Sequence, residues 1–253
     1  MRTHIRRGTA VAVAVSALFL TAACGGSDSS SDDDKKPTGT ASEAKDTAAE
    51  APADGAPLTA AQLKAATLEV ADLPADWKAK TVPVEDLQEP KADKPACQPI
   101  VSLFATKVVG ATMGKDADFK FKESDDASLS ESVFTFPGTG AADFTKAIGT
   151  ALASCPDVAF TQDGEKATFK LEKLSIPTVA EESHAFRMSM DMGEVGTYRL
   201  DILVAHQGTG AIRAAYIPTP TNPIDKPDTP AKVNPFDDLA KRMGDKLVKG
   251  AKS

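Results

Sequence analysis

Two histidines, His184 and His206, are the first residues to consider as catalytic bases or metal ligands. Each lies in a stretch of alternating apolar and polar residues, which predicts a β-strand. A catalytic histidine needs a nucleophile and an orienting acid, and a zinc site needs further ligands. The sequence contains no HExxH, GxSxG or CxxC motif and no glycine-rich phosphate loop. We therefore interpret both histidines as strand-surface or edge residues, and predict no catalytic residue, metal ligand or cofactor.

Acidic side chains suggest a second chemistry, the hydrolysis of glycosides by paired carboxyl groups. Sugar-binding sites usually also contain stacking aromatic residues, and this chain has only one Trp and two Tyr. We therefore favour a solvated acidic surface over a cell-wall hydrolase. The carboxylates in question are Asp116, Asp118, Glu181, Glu182, Asp191 and Glu194.

Trp77, Tyr198 and Tyr216 combine apolar area with a polar group, so they are candidates for the lining of a pocket. Packing in the core or on a sheet face is the alternative, and we favour it for all three. Met188 and Met190 alternate along a predicted strand, which indicates core packing.

The N-terminus has the pattern of an export signal. Three arginines lie within the first seven residues, and residues 9–20 form an uncharged, mostly apolar run. This run is shorter than the ~20 residues that a membrane-spanning helix needs, so we predict a signal peptide over residues 1–23. Small residues then lead to Cys24.

The segment Leu20-Thr21-Ala22-Ala23-Cys24 resembles the lipobox of bacterial lipoproteins, although Thr21 stands where Leu is usual. The resemblance implies that diacylglycerol is attached to the Cys24 thiol and that Cys24 becomes the mature N-terminus. A plain secretory signal with an incidental cysteine is the alternative. Two or three acyl chains anchor a protein stably to a membrane, so we expect a lipid-anchored protein on the outer face of the cell membrane.

Cys97 and Cys155 are the two cysteines that remain. An exported protein reaches a compartment that permits disulfides, and two cysteines allow one intramolecular pairing. We predict a Cys97–Cys155 disulfide, with two buried free thiols as the alternative.

Removal of residues 1–23 leaves 26 basic and 36 acidic residues, a net charge of −10. An acidic chain is a poor partner for nucleic acid, because phosphate contacts need clustered Lys and Arg. We therefore expect the lipid to hold the protein at the membrane, and the partner to be a small ligand or a cell-envelope protein.

Composition divides the chain. Residues 24–57 are rich in Gly, Ser, Ala, Asp and Pro, with no large apolar side chain before Leu58, and we expect a disordered tether. Residues 58–253 are long enough for one domain with its own core. Thr59 and Gln62 form a capping-box pattern at the start of its first helix, and Asn234-Pro235 opens the last one.

Periodicity predicts four helices and six or seven strands. The strands are clustered without regular strand–helix alternation, which favours an α+β fold: an antiparallel meander, buried on one face, with about four flanking helices. Asp163-Gly164 is a hairpin signal. The predicted helices cover 59–72, 99–109, 142–154 and 235–250, and the predicted strands lie near 119–122, 129–136, 158–161, 167–171, 186–190, 198–204 and 211–217.

The order of these segments resembles a known family. The sequence runs through LTAAQL, DLPADW, FTKAIGTALASC, EESHAFRMSM and YRLDILVAHQGTGAIRAAYI. It is similar to the extracellular sensor-type domain of actinobacterial lipoproteins and of mycobacterial PknH-type kinases, over roughly residues 58–250. The resemblance implies an antiparallel sheet flanked by helices, with a cleft for a small ligand. This chain has two domain cysteines where the kinase sensor uses two pairs.

We expect no kinase domain, and therefore ligand capture or a structural role rather than signal transmission. The leading hypothesis is a non-enzymatic, sensor-like or partner-binding module at the cell surface. The alternative is a carrier of a lipid or another hydrophobic ligand, and a cell-wall hydrolase comes third. An apolar pocket would favour the carrier, and a cleft with two convergent carboxyl groups would favour the hydrolase.

Overall fold

One antiparallel sheet of ten strands organises the part of the chain described by the structure, a computed structural model that covers residues 55–82, 88–121, 127–218 and 235–253. The predictions for the signal, for Cys24, for most of the tether and for Asn234 lie outside these ranges. Together with its flanking helices the sheet forms a single α+β domain, as predicted.

The strands are β1 Trp77–Ala79, β2 Lys91–Ala92, β3 Thr112–Met113, β4 Ala117–Phe121, β5 Ser128–Thr135, β6 Asp157–Gln162, β7 Glu165–Lys173, β8 Glu182–Asp191, β9 Thr197–Gln207 and β10 Gly210–Ile217. The helices are α1 Ala60–Ala66, α2 Gln98–Val101, α3 Gly140–Ser154 and α4 Pro235–Ala251. The strand order is β1-β4-β5-β10-β9-β8-β7-β6-β2, and β3 pairs with β5 off this path. The three short strands β1, β2 and β3 escaped sequence-based detection, because two or three residues are too few to show a period.

Tight turns set the register of the meander. Asp163 and Gly164 have φ angles of 50° and 83° and join β6 to β7, which confirms the predicted hairpin. Gly208, with φ of 54°, lies in the turn between β9 and β10. Left-handed backbone at these positions favours Gly, Asn and Asp, and the sequence supplies them.

Both faces of the central sheet are buried. Every residue from Leu200 to His206 in β9 is buried, although neighbours along a strand point to opposite faces. The prediction of one buried face is therefore wrong, because helices cover the sheet on both sides. The same burial corrects the interpretation of His206 as a surface or edge residue.

Helices α1 and α4 cover one face. The α4 residues Phe236, Leu239, Met243 and Leu247 are all buried there, as their spacing predicts. Thr59 and Gln62 cap α1 reciprocally, as predicted. The two helices pack against each other closely.

Helices α2 and α3 lie against the opposite face. Ile148 of α3 and Ile100 and Val101 of α2 are fully buried in a core with β8 and β9. Cys97 and Cys155 form the predicted disulfide, with Cα atoms 6.0 Å apart. It joins the residue just before α2 to the residue just after α3.

The first two helices are shorter than predicted. Helix α1 ends at Ala66 because Thr67 is extended and its hydroxyl donates to the carbonyl of Leu63. Val70, expected on the buried face of α1, lies in a separate 3₁₀ turn and is 41% exposed. Similarly, α2 continues only as a 3₁₀ turn over Ser102–Phe104.

Candidate ligand-binding cleft

A cleft of about 1080 Å³ lies beside the β4–β5–β10 part of the sheet. This volume is comparable with the largest typical small-molecule sites, about 1,000 Å³. Its lining combines charged side chains with apolar side chains. The lining residues are Lys64, Thr67–Val70, Ala79–Val82, Leu103–Thr106, Lys115–Phe119, Ser130–Ser132, Ile202 and Arg213–Ala215.

Strand register brings five of these residues to one face of the sheet. Ser132 is paired with Arg213, Ser130 with Ala215, and Ala215 with Ile202. Directly paired residues share a face and have neighbouring Cβ atoms. We call this set, Ser130, Ser132, Ile202, Arg213 and Ala215, the Arg213 floor.

Arg213 is half-buried, and the loop after α2 fixes its guanidinium. One nitrogen, Nη1, donates to the carbonyls of Leu103 at 3.1 Å and Ala105 at 2.7 Å. The other, Nη2, donates to the carbonyl of Thr106 at 3.4 Å. Loss of hydration lowers the pKa of Arg213, and the charge of Asp116 opposes that shift. No carboxylate among the described residues forms a salt bridge with it.

Arg187, on β8, is a comparable arginine, but it is paired with a carboxylate. Its Nε and Nη2 donate to the two oxygens of Asp201 at 2.6 and 2.8 Å. These bonds raise the pKa of Arg187, and they form the bidentate pair that suits a guanidinium and a carboxylate. In Arg213, Nε and one N–H of Nη2 have no protein acceptor among the described residues.

Glu131 lies in the cleft lining on the opposite side of β5, as the alternation with Ser130 and Ser132 requires. It is 1% exposed. Its Oε2 accepts a 2.7 Å hydrogen bond from the backbone N–H of Leu68, whereas its buried Oε1 has no partner. Burial raises the pKa of Glu131 to about 8, against the opposing effects of the Leu68 bond and Lys246. A carboxyl group with this pKa is mainly protonated at pH 7.

Apolar side chains supply much of the wall near the Arg213 floor. Phe104 lines the cleft and stacks on Phe160, with centroids 5.3 Å apart and planes at 21°. Leu103 and Ile202 lie in the same lining. At other points of the lining, Val70 and Val82 are 41% and 46% exposed. The cleft therefore suits a ligand with both apolar and polar parts.

Two of the six carboxylates considered from sequence, Asp116 and Asp118, line the cleft. Asp118 accepts a 2.6 Å bond from the hydroxyl of Ser130, so it belongs to the face of the Arg213 floor. Glu131 is on the other face, so its carboxyl and that of Asp118 do not converge. Glu181, Glu182, Asp191 and Glu194 lie outside the cleft lining.

The histidines and the three large aromatic residues also lie away from the cleft. His184 Nε2 is 3.1 Å from Glu182, and His206 Nε2 is 3.6 Å from Glu181. Trp77 and Tyr216 are buried in the core under α1 and α4, and Tyr198 packs against Phe169. Core packing is thus the correct interpretation of these aromatics.

Sequence reasoning missed Arg213 and Glu131. Each is a charged residue within a predicted strand. The same-face neighbours of Glu131, Leu129 and Val133, are buried, whereas Ala215 beside Arg213 is only partly buried. Charges at inward positions of a strand are rare unless they are paired or functional. That pattern could have identified Glu131. For Arg213 it could not, because only one sheet face was expected to be buried.

Metal binding and membrane-spanning helices can be assessed for the described residues. No three His, Cys, Asp or Glu side chains there are arranged to hold a metal ion. No helix there has the length and apolar composition needed to cross a membrane.

Comparison with solved structures relates this architecture to an extracellular domain. The chain matches the extracellular domain of PknH from Mycobacterium tuberculosis with a TM-score of 0.50 and 12% identity, covering 78% of this chain and 98% of the other. It has the fold of that domain. A second match, to an uncharacterised protein of Mycobacterium smegmatis, has a TM-score of 0.40 and 13% identity, with 78% and 98% coverage. No protein-family model and no curated protein sequence matches the chain.

Proposed function

We propose that this chain is a non-enzymatic, lipid-anchored module on the outer face of the cell membrane, and that it captures a small ligand in the cleft. The observation that carries the proposal is the cleft itself, about 1080 Å³ with both apolar and charged lining. Ligand sites of soluble proteins combine a mostly apolar concavity with a few placed polar groups.

The proposed location rests on the sequence. An apolar run of 12 residues followed by Cys24 favours export and lipid attachment. The shared fold with the PknH extracellular domain agrees with this location and with a sensor-like role. A chain held at the membrane surface by lipid on Cys24 would present its cleft to ligands or proteins of the cell envelope.

Native mass spectrometry tests ligand capture. Residues 24–253 with Cys24→Ala, which would carry no acyl group, are exported through an oxidising compartment behind a cleavable secretory signal and purified without detergent. We expect a discrete added mass that is lost on denaturation. The denatured mass should be two hydrogens below that of the reduced chain, because Cys97 and Cys155 are bonded. A bare native mass that no envelope extract changes would contradict ligand capture and favour a protein-contact role.

A carrier of a lipid or other hydrophobic ligand is the second candidate. The apolar residues Leu103, Phe104 and Ile202 in the lining favour it. The mass of the captured ligand separates the candidates, since a carrier should release a whole membrane lipid and a sensor-like module a smaller compound.

A further inference from the structure

We propose that the cleft selects an amphiphile with an anionic head, a carboxylate or a phosphate monoester, and that Arg213 and Ser132 bind this head. The inference rests on the proposed function, because it names the chemistry of the ligand that the cleft captures. Four observations lead to it.

The first observation is that two N–H donors of Arg213 have no acceptor among the described residues. A guanidinium has five N–H donors, and three of those of Arg213 bond to backbone carbonyls of residues 103–106. The donors without a protein acceptor are Nε–H and one on Nη2. On Arg187 the same two nitrogens bind both oxygens of Asp201. An anionic head with two oxygens therefore fits the Arg213 donors in the way that Asp201 fits Arg187.

The second is Ser132, which lies directly opposite Arg213 in the β5–β10 pairing. Its hydroxyl takes part in no hydrogen bond with the described residues, and it lines the same cleft. A third donor therefore lies beside the guanidinium. Its neighbour on the same face, Ser130, is already bonded to Asp118.

The third is the apolar surround. Leu103, Phe104, Ile202 and Ala215 line the cleft near Arg213, and a charge–charge contact in such surroundings is less screened than one in water. The three carbonyl bonds hold the guanidinium in place before a ligand arrives, so little side-chain entropy remains to be lost on binding. The apolar walls would contact the tail of an amphiphile whose head binds Arg213.

The fourth is the charge of the lining. It contains four basic side chains, Lys64, Lys80, Lys115 and Arg213, and three acidic ones besides Glu131. The whole chain, in contrast, has a net charge of −7. Asp116 acts electrostatically on Arg213, so it should oppose an anion at that position and limit its affinity.

The test compares matched probes, dodecanoate, dodecyl phosphate and dodecanol, on residues 24–253 with Cys24→Ala, exported behind the same cleavable signal. Calorimetry measures their affinities at pH 7. We expect either anion, or both, to bind about ten-fold or more tightly than the neutral alcohol, since a hydrogen bond to a charged group contributes about that factor. The stronger anion identifies the head as carboxylate or phosphate.

Three variants assign the preference to the site. Arg213→Gln should reduce the anion-to-alcohol ratio to about one while dodecanol still binds, and Ser132→Ala should reduce it about three-fold. The control Arg242→Gln removes an arginine that also donates to a backbone carbonyl, that of Asp72, but lies outside the cleft. It should leave the ratio unchanged.

Asp116→Asn covers the case in which Arg213→Gln fails to fold. Asp116 is exposed, and removal of its charge should tighten anion binding two- to five-fold, roughly the effect of one partly screened charge. Equal affinity of acid and alcohol for the unmodified cleft, or an unchanged ratio in Arg213→Gln or Asp116→Asn, would show that Arg213 only holds the 103–106 loop. If none of the three probes binds, capture of an amphiphile itself is wrong.

Discussion

At the residue scale, Glu131 is a buried carboxyl group whose protonation should affect the stability of the protein. Its Oε2 accepts the N–H of Leu68, which lies two residues after the end of α1 and lines the cleft. Its ordinary pKa of 4.5 rises to about 8 because the carboxylate form would lose its hydration in the core. Between these two values the folded chain holds a proton that the unfolded chain releases.

The sign of the pH dependence follows from that proton. The contribution of Glu131 to the free energy of unfolding is fully present below about pH 4.5 and is lost as the pH rises to about 8. Glu131→Gln keeps an oxygen for the Leu68 N–H and cannot ionise. We expect urea unfolding to show wild type losing roughly 4 kcal/mol relative to Glu131→Gln between pH 5 and pH 8.5.

The control for this prediction is Glu165→Gln, which changes an exposed carboxylate on β7. Its stability should follow that of wild type across the same pH range within about 0.5 kcal/mol. Parallel pH profiles for wild type and Glu131→Gln would mean that Glu131 is ionised in the folded protein. The interpretation of its burial would then be wrong.

At the scale of elements, the contact between α1 and α4 depends on one glycine. A Cβ at Gly250 would lie 2.5 Å from the backbone nitrogen of Ala66 and 2.6 Å from its Cα. The sequence suggested that Gly250 ends α4, but the helix continues to Ala251. Gly250 therefore serves close helix packing rather than helix termination.

Gly250→Ala should destabilise the protein although Ala is the better helix former. The gain in helix propensity is at most about 1 kcal/mol, whereas a Cβ pressed against backbone forces the helices apart and costs about 1–3 kcal/mol. We expect a net loss of about 1–2 kcal/mol in urea unfolding. Lys249→Ala, an exposed neighbour in α4, should change stability by less than about 0.5 kcal/mol. A stabilised Gly250→Ala protein would show that α4 shifts freely over α1.

At the scale of the whole molecule, the sequence predicts the architecture better than the site. Long periodic segments such as β9, α3 and α4 were located within a few residues, because their apolar spacing reflects which side faces the core. The Thr59–Gln62 cap and the Asp163-Gly164 turn were also predictable, since each depends on residues close in sequence. The disulfide followed from the number of cysteines.

The cleft could not be predicted in the same way. Arg213 meets the carbonyls of residues 103–106 across more than 100 positions of sequence, and Glu131 meets Leu68 across 63. Such pairings depend on strand order, which periodicity does not determine. The short strands β1 and β3, which flank the cleft region, carry too few residues to show a pattern. Sheet burial on both faces was missed because the helices that cover it are separated from β9 in sequence.

The proposed attachment of the whole molecule to the membrane depends on Cys24. We expect Cys24→Ala to abolish incorporation of radiolabelled palmitate, because no thiol remains at position 24 to accept the diacylglycerol. The matched control is the double variant Cys97→Ala/Cys155→Ala. It also removes cysteines but leaves the thiol at position 24, so it should keep both the label and the membrane location. Label retained in Cys24→Ala would show that the lipid is attached elsewhere, and an unlabelled, soluble wild-type protein would favour a plain secretory signal.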